Sequence, residues 1–299
     1  METGNSLTEA PLVVIVGPTA SGKTALAVDL AKRFNGEIIA ADSRTIYKEM
    51  NIGTAKPTVE EQQGVPHWGL DLVEPGQAFS ASDFQSYGTH KIAEIRDRGH
   101  VPFLVGGTGL YIDCVIFNYE FGPKPDRIVR QKLENMTLEE LWYYSKKHNV
   151  RLPENKKNKR YVIRAIEQGG INQKRLKLID NTIVVGIATN KYALRERISE
   201  RSEWLFQAGV VDEAKELAEK YGWDNEAMTG NIYRLIHRYI EGELTLSELR
   251  QKVVVSDWHL AKRQLTWFKR NEKINWVSLH DGEYYIAAKL APWRSDVLL

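Results

Sequence analysis

The sequence predicts an α/β fold: a parallel sheet flanked by helices, with a small helical insertion. Three observations point there. Short apolar runs rich in β-branched residues alternate with segments of helical periodicity, the pattern of a sheet covered on both faces. Three glycine-rich or acidic stretches each follow the end of such a run, the edge where open parallel sheets bind ligands. The alternation stops between about Asn118 and Leu178, where the chain turns basic and helical, and resumes at Thr182.

In chain order, LVVIV (Leu12 to Val16) reads as a buried strand ending at a glycine loop, GPTASGKT. KTALAVDLAKRF then carries apolar residues at helical spacing. EIIAA (Glu37 to Ala41) is a second strand, with Asp42 directly after it. Thr58 with Glu61, and Ser80 with Asp83, match the N-terminal capping box, and the second opens a helix to about Arg98. VPFLV (Val101 to Val105) is a third strand, followed by GGTGLY. TIVVGIA (Thr182 to Ala188) is a further one. Within the basic stretch, Thr137 with Glu140 caps TLEELWYY. Beyond Ala188 the chain reads as helical almost to Asn271, with a glycine stop at Gly222 and a capping box at Thr245 and Glu248. The expected organisation is a core of residues 1–117 and 179–299, including the C-terminal helices, and a helical insertion of 118–178.

The totals narrow the classes. Hydrophobic residues make up 42% of the 299, enough for a real core. The lone cysteine, Cys114, excludes an internal disulfide and a cysteine zinc cage, and fits a reducing compartment. METGNSLTEA has neither a basic n-region nor an apolar run, so no signal peptide is expected. No stretch approaches the roughly 20 apolar residues of a membrane span. The expectation is a soluble cytoplasmic protein with no membrane partner. Net charge is only +2, but Lys124 to Leu178 holds fifteen Lys or Arg against six Asp or Glu, so that segment is +9 and the remainder −7. This is either the footprint of a polyanionic partner or a solvated lysine-rich surface.

GPTASGKT matches the P-loop signature in full, so the core is expected to be P-loop NTPase-like. Gly17 and Gly22 allow tight turns, and the backbone of Pro18, Thr19, Ala20 and Ser21 lies between them. Lys23 brings a cation to an outer phosphate, and Thr24 can ligate Mg²⁺ at the positive end of the following helix. A di- or triphosphate is therefore the expected ligand. Asp42 is a general base, a magnesium-associated carboxylate or a helix cap; its position alone does not choose. The glycines of GGTGLY suit either close approach of a flat ligand, with Thr108 as its hydrogen-bond partner, or a plain turn. His67 is either an acid/base group or a structural histidine. LAKRQLTWFKR, on a helix, has a basic face for phosphates or for solvent.

Together GPTASGKT, ADSRTIYKEMNIGTAKPT, VPHW, FSASDF, VGGTGLY, VIRAIE, AGVVDEA and LAKRQLTWFKR resemble, in order and over most of residues 12 to 276, the tRNA dimethylallyltransferases (tRNA isopentenyltransferases) of bacterial type. The resemblance implies a P-loop core joined to a helical insertion that grips the anticodon stem-loop. It implies Mg²⁺-assisted transfer of a dimethylallyl group from dimethylallyl diphosphate to N6 of the adenosine on the 3′ side of the anticodon; a monomer is expected. The loop would then hold a leaving group, not a phosphate to be passed on. By the same resemblance Asp42 is the base and Thr108 holds the adenine amine or the aspartate. Arg234 lies near the diphosphate. Ser43, Arg44 and Thr45 beside Asp42, with Arg160, Arg164, Lys262, Arg263 and Gln264, meet the tRNA. Four positions depart from the family pattern: Thr45 replaces a glutamine, Trp68 a histidine, Tyr161 an arginine and Ile232 a glycine. Two rival readings remain at this level: a P-loop kinase of a small metabolite, which needs no basic insertion, and an ATP-gated RNA-binding protein without covalent chemistry.

Overall fold

The computed structural model describes residues 9–121, 126–169 and 177–294. The first eight residues of METGNSLTEA and parts of the basic stretch, 122–125 and 170–176, lie outside them. The chain separates into two compact units, residues 113–179 and the rest. The smaller unit thus takes in the last turn of the helix Gly109–Ile116, and the boundaries expected at 118 and 178 shift outward.

The larger unit is built on six strands: β1 (Leu12–Val16), β2 (Gly36–Ala40), β3 (His67–Trp68), β4 (Val101–Gly106), β5 (Thr182–Ile187) and β6 (Asn275–Val277). All are parallel, in the order β3-β2-β4-β1-β5-β6. Alternation along each strand assigns the two faces. Val13, Ile15, Ile38, Phe103, Val105, Val185 and Ile187 share one buried cluster with helices Lys23–Phe34 and Leu279–Leu290. Their neighbours Val14, Ile39 and Leu104 point the other way. There helix Ala81–Asp97, with Phe84 and Ile95 fully buried, packs on β2 and β4.

The strands and the helix after the glycine loop fall where the sequence puts them, with β2 one residue early. Residue 36, the first of β2, has to be glycine, because a Cβ there would sit 2.3 Å from the Phe103 ring and 2.9 Å from the Val101 carbonyl. All four capping boxes form, each side chain accepting from the backbone three residues on. Each such cap contributes about 1 kcal/mol. The long helical stretch after Ala188 is several helices. It breaks first at Gly209, whose φ of +93° belongs to the left-handed region. The two- and three-residue strands β3 and β6 are too short to show a period and were not foreseen.

Glu37 on β2 carries a charge into this core. Its side chain is 3% exposed and accepts from Arg98 Nε and Nη2 (3.0 and 2.8 Å) and Trp68 Nε1 (2.6 Å), with His100 Nδ1 at 2.6 Å. Burial alone would raise its pKa. The bonds from Arg98, Trp68 and His100 outweigh that and hold the carboxyl below the usual range. Trp68, a departure from the family pattern, is thus committed to a structural bond. Glu37→Gln is expected to cost about 1–2 kcal/mol, because its amide places an NH₂ donor where the buried carboxylate accepts from Arg98 and Trp68. A folded pKa below the unfolded one stabilises above the ordinary glutamate value, about 4.3, and that stabilisation is lost as pH falls through the folded pKa. Thermal unfolding from pH 7 to 3 should therefore show wild type losing its advantage over the variant.

The smaller unit packs helices Arg127–Asn135, Leu138–Lys147 and Lys159–Glu167 around Leu133, Leu141, Val162 and Ile163. The Glu167 side chain, 2% exposed, accepts from Arg130 at 2.8 and 3.0 Å, and Arg164 Nη1 stands 3.5 Å from it.

Candidate active site

The sheet order puts the ends of β2, β4 and β1 side by side, and the loops that follow them enclose a cavity of about 610 Å³. Thr19 to Thr24 form one wall. Within this loop Ala20 (φ +60°) and Gly22 (φ +85°) adopt left-handed backbone. Gly22 is the N-cap of helix Lys23–Phe34 and no side chain caps it, so the positive end of the helix faces the cavity. Gly17 and Pro18 lie beneath the wall. The Pro18 carbonyl accepts from Lys23 Nζ at 3.2 Å. A Cβ on Gly17 would sit 2.9 Å from the Ser21 hydroxyl, which is itself buried without a partner among the described residues.

Asp42, Ser43, Arg44 and Thr45 form the second wall. Asp42 Oδ1 accepts from the Arg44 N–H at 2.8 Å, which fixes the carboxylate as an Asx turn. Thr108 lies on the loop after β4. Its hydroxyl accepts from the Ser43 N–H at 3.0 Å and donates to Ser43 Oγ at 3.4 Å, while its own N–H donates to the Ala41 carbonyl at 3.2 Å. Thr108 thus holds the turn that carries Asp42. Arg44 Nη1 donates to the Glu226 carbonyl at 3.2 Å, and Thr45 is buried with a hydroxyl that has no partner among the described residues. His67 Nδ1 faces the Val65 carbonyl at 2.8 Å and so carries the proton. That leaves Nε2 an acceptor with no partner among the described residues, and burial lowers the ring's pKa.

The GGTG glycines have a packing reason. Cβ atoms on Gly106, Gly107 and Gly109 would come within 2.1 Å of the Ala41 carbonyl, 2.3 Å of Gln264 Nε2 and 2.2 Å of the Trp267 ring. Neither a plain turn nor a flat ligand is needed to explain them. Gln264 is turned inward, and its Oε1 accepts from the Thr19 N–H at 2.8 Å. It braces the glycine loop from helix Leu246–Phe268. Arg263 lines the cavity, while Lys262 is exposed and lies over the Trp258 ring at 5.9 Å.

Arg234 is exposed, although its neighbours Ile232 and Tyr233 line the cavity. The guanidinium at the loop belongs instead to Arg201, on helix Lys191–Gln207. Its Nη1 donates to the Thr19 hydroxyl and its Nη2 to the Thr54 carbonyl at 3.5 Å. Asp257 completes this end. Burial raises its pKa and Arg201 opposes the rise. The sequence pattern pointed to neither. Asp257 stands seven residues before Gln264, two turns along one helix face, which was the available signal. Burial likewise lowers the Lys23 pKa to about 8; Asp42 opposes that shift and Arg201 adds to it. Arg160 and Arg164 belong to the smaller unit; Arg160 is exposed and Arg164 is half-buried beside Glu167.

Comparison with known proteins decides among the readings. The IPP transferase family model matches residues 45–271, and the isopentenyl transferase model matches 10–75. This chain belongs to the IPP transferase family. The tRNA dimethylallyltransferase of Bacillus velezensis is 37% identical over 285 residues, 90% of this chain and 91% of that one. The crystal structure of the full-length tRNA isopentenylpyrophosphate transferase of Bacillus halodurans superposes with a TM-score of 0.74 at 35% identity, covering 95% of this chain and 98% of that one. A eukaryotic dimethylallyltransferase acting on tRNA shares the fold, with a TM-score of 0.76 at 22% identity over 96% of this chain and 76% of its own. The P-loop core, the bacterial type and the prenyl-transferase class expected from sequence are borne out, against the kinase reading. Among the described residues, no helix is long and apolar enough to cross a membrane.

Proposed function

We propose that the chain transfers a dimethylallyl group from dimethylallyl diphosphate to N6 of the tRNA adenosine on the 3′ side of the anticodon, releasing diphosphate. One observation carries the reading: a phosphate-holding loop with two cations, Lys23 and Arg201, opens on the same cavity as the Asp42 carboxylate. A buried five-carbon tail contributes about 4 kcal/mol, at about 0.8 per carbon, which corresponds to millimolar binding at best. The diphosphate is therefore the anchor.

As the allylic C1–O bond breaks, negative charge grows on the diphosphate, and Lys23, Arg201 and the loop N–H groups stabilise it more in the transition state than before it. The N6–C1 bond forms as N6 loses a proton to Asp42, held by the turn that Thr108 secures. The described residues include no cluster of three or more His, Cys, Asp or Glu able to hold a metal. Thr24 lines the cavity wall beside the phosphate loop, and its hydroxyl would be the protein ligand of a Mg²⁺ carried on the diphosphate. Such an ion would neutralise part of the leaving charge. The target base must leave its stack to enter the cavity, and single-stranded loops allow this. The basic unit of residues 113–179 meets the stem phosphates, and Arg44 and Arg263 the loop.

The deciding experiment incubates the protein with radiolabelled dimethylallyl diphosphate, Mg²⁺ and unmodified tRNA, in parallel with γ-labelled ATP. Label on the adenosine beside the anticodon, with no phosphate moved, is the expected result. Phosphate transfer with unlabelled tRNA would return the loop to kinase chemistry. Neutralising exposed Arg160 (Arg160→Gln) should weaken tRNA binding. It should also flatten the slope of log affinity against log salt by somewhat under one unit, the change expected when one phosphate is no longer neutralised. An unchanged slope removes Arg160 from the phosphate-binding residues.

A further inference from the structure

Three consecutive backbone N–H groups, those of Asn51, Ile52 and Gly53, converge on one carboxylate. Glu213 Oε2 accepts from Asn51 and Ile52 at 2.8 and 2.6 Å, and Oε1 accepts from Gly53 at 2.8 Å. Such a run of N–H groups is an anion-binding concavity, here filled by a side chain of helix Val210–Tyr221. A fourth donor, the Tyr233 hydroxyl, reaches Oε1 at 2.8 Å from helix Asn231–Ile240. Tyr233 is fully buried, and burial with the nearby Glu213 charge raises its pKa, so the phenol stays protonated and donates. The close approach requires glycine at residue 53: a Cβ there would lie 2.6 Å from the Tyr233 hydroxyl.

The concavity's location gives it a consequence for the site. Gly53, Thr54 and Ala55 line the catalytic cavity, and Arg201 donates both to the Thr54 carbonyl and to Thr19 of the phosphate loop. Thr54 is held in turn by its own hydroxyl, which donates to the Met50 carbonyl at 2.6 Å. The Glu213 carboxylate therefore fixes the segment that aims the Arg201 guanidinium. Glutamine is a poor substitute. One of its two positions is an NH₂ donor, which would face the N–H groups that Glu213 now accepts.

We propose that Glu213 is a positioning residue for the diphosphate, acting through the 51–55 segment on Arg201, with Tyr233 as its partner. The proposal rests on the reading of Arg201 as a diphosphate cation. The test measures dissociation constants for dimethylallyl diphosphate and for tRNA in wild type, Glu213→Gln, Arg201→Met and the double variant. Glu213→Gln should weaken donor binding about tenfold and change tRNA binding by less than about twofold. In the Arg201→Met background the same change should alter donor binding by less than about twofold, because the group it positions is gone. Two independent, multiplying losses would overturn the positioning role and leave the site reading intact. Unchanged donor binding in Glu213→Gln would do the same. Unchanged donor binding in Arg201→Met would overturn both. If Glu213→Gln does not fold, Tyr233→Phe removes one of the four bonds and carries the same cycle, with an expected loss of about threefold.

Discussion

Asp42→Asn is expected to lower prenyl transfer by about two to four orders of magnitude while tRNA affinity stays close to wild type. Positioned proton transfer is worth about that much. The acceptor amine needs it, because its lone pair is delocalised into the adenine ring. Asparagine keeps the shape and the bond from the Arg44 N–H, so the turn that Thr108 braces should persist. The substitution also removes a charge that supports the Lys23 ammonium. Single-turnover rates with both substrates saturating therefore isolate the chemical step. Unchanged turnover would remove Asp42 as the base.

The second large effect concerns Lys23. Lys23→Met is expected to lower single-turnover transfer by about two to three orders of magnitude, the loss typical when one donor to a developing anion is removed. Its titration provides an independent signature. With a pKa near 8 in the free protein, Lys23 is charged below that pH and neutral above it. Donor affinity should therefore fall as pH rises through about 8. Burial is the main cause of the depression, with Arg201 adding to it and Asp42 opposing it. Arg201→Met should consequently move this alkaline limb to higher pH, and Asp42→Asn should move it to lower pH. Calorimetric titration of dimethylallyl diphosphate from pH 6.5 to 9.5 reads both directions. A limb that stays in place in both variants would dissociate it from Lys23.

Much of this site was legible in the chain. GPTASGKT fixes a strand-loop-helix unit through local geometry alone, and a capping box is a contact between residues three apart. Asp42 stands out because it directly follows an apolar run that reads as a strand, and Thr108 because it lies in the glycine-rich loop after another. Side-chain direction was not legible. Gln264 reads as one of three polar residues on a basic helix, yet it turns inward to the Thr19 N–H. Arg234 has the family's spacing but faces outward, and the cation at the loop is Arg201. A helix pattern gives the face a residue shares with its neighbours; it does not say which face meets which partner.

By itself the sequence determined the strands long enough to show a period, the helix starts with capping boxes, the phosphate loop and the family. The strands, helix starts and phosphate loop depend on interactions within a few residues, where hydrogen-bond geometry and periodicity leave few solutions; the family rests on the order of motifs along most of the chain. Tertiary structure alone decided the rest. The Gln264 bond to Thr19 spans 245 residues, the Arg201 bond to Thr19 spans 182, and the Glu213 bond to Gly53 spans 160. Such pairs exist only after the sheet order has brought distant segments together, and the depressed pKa of Lys23 exists only once packing has excluded water from around its ammonium.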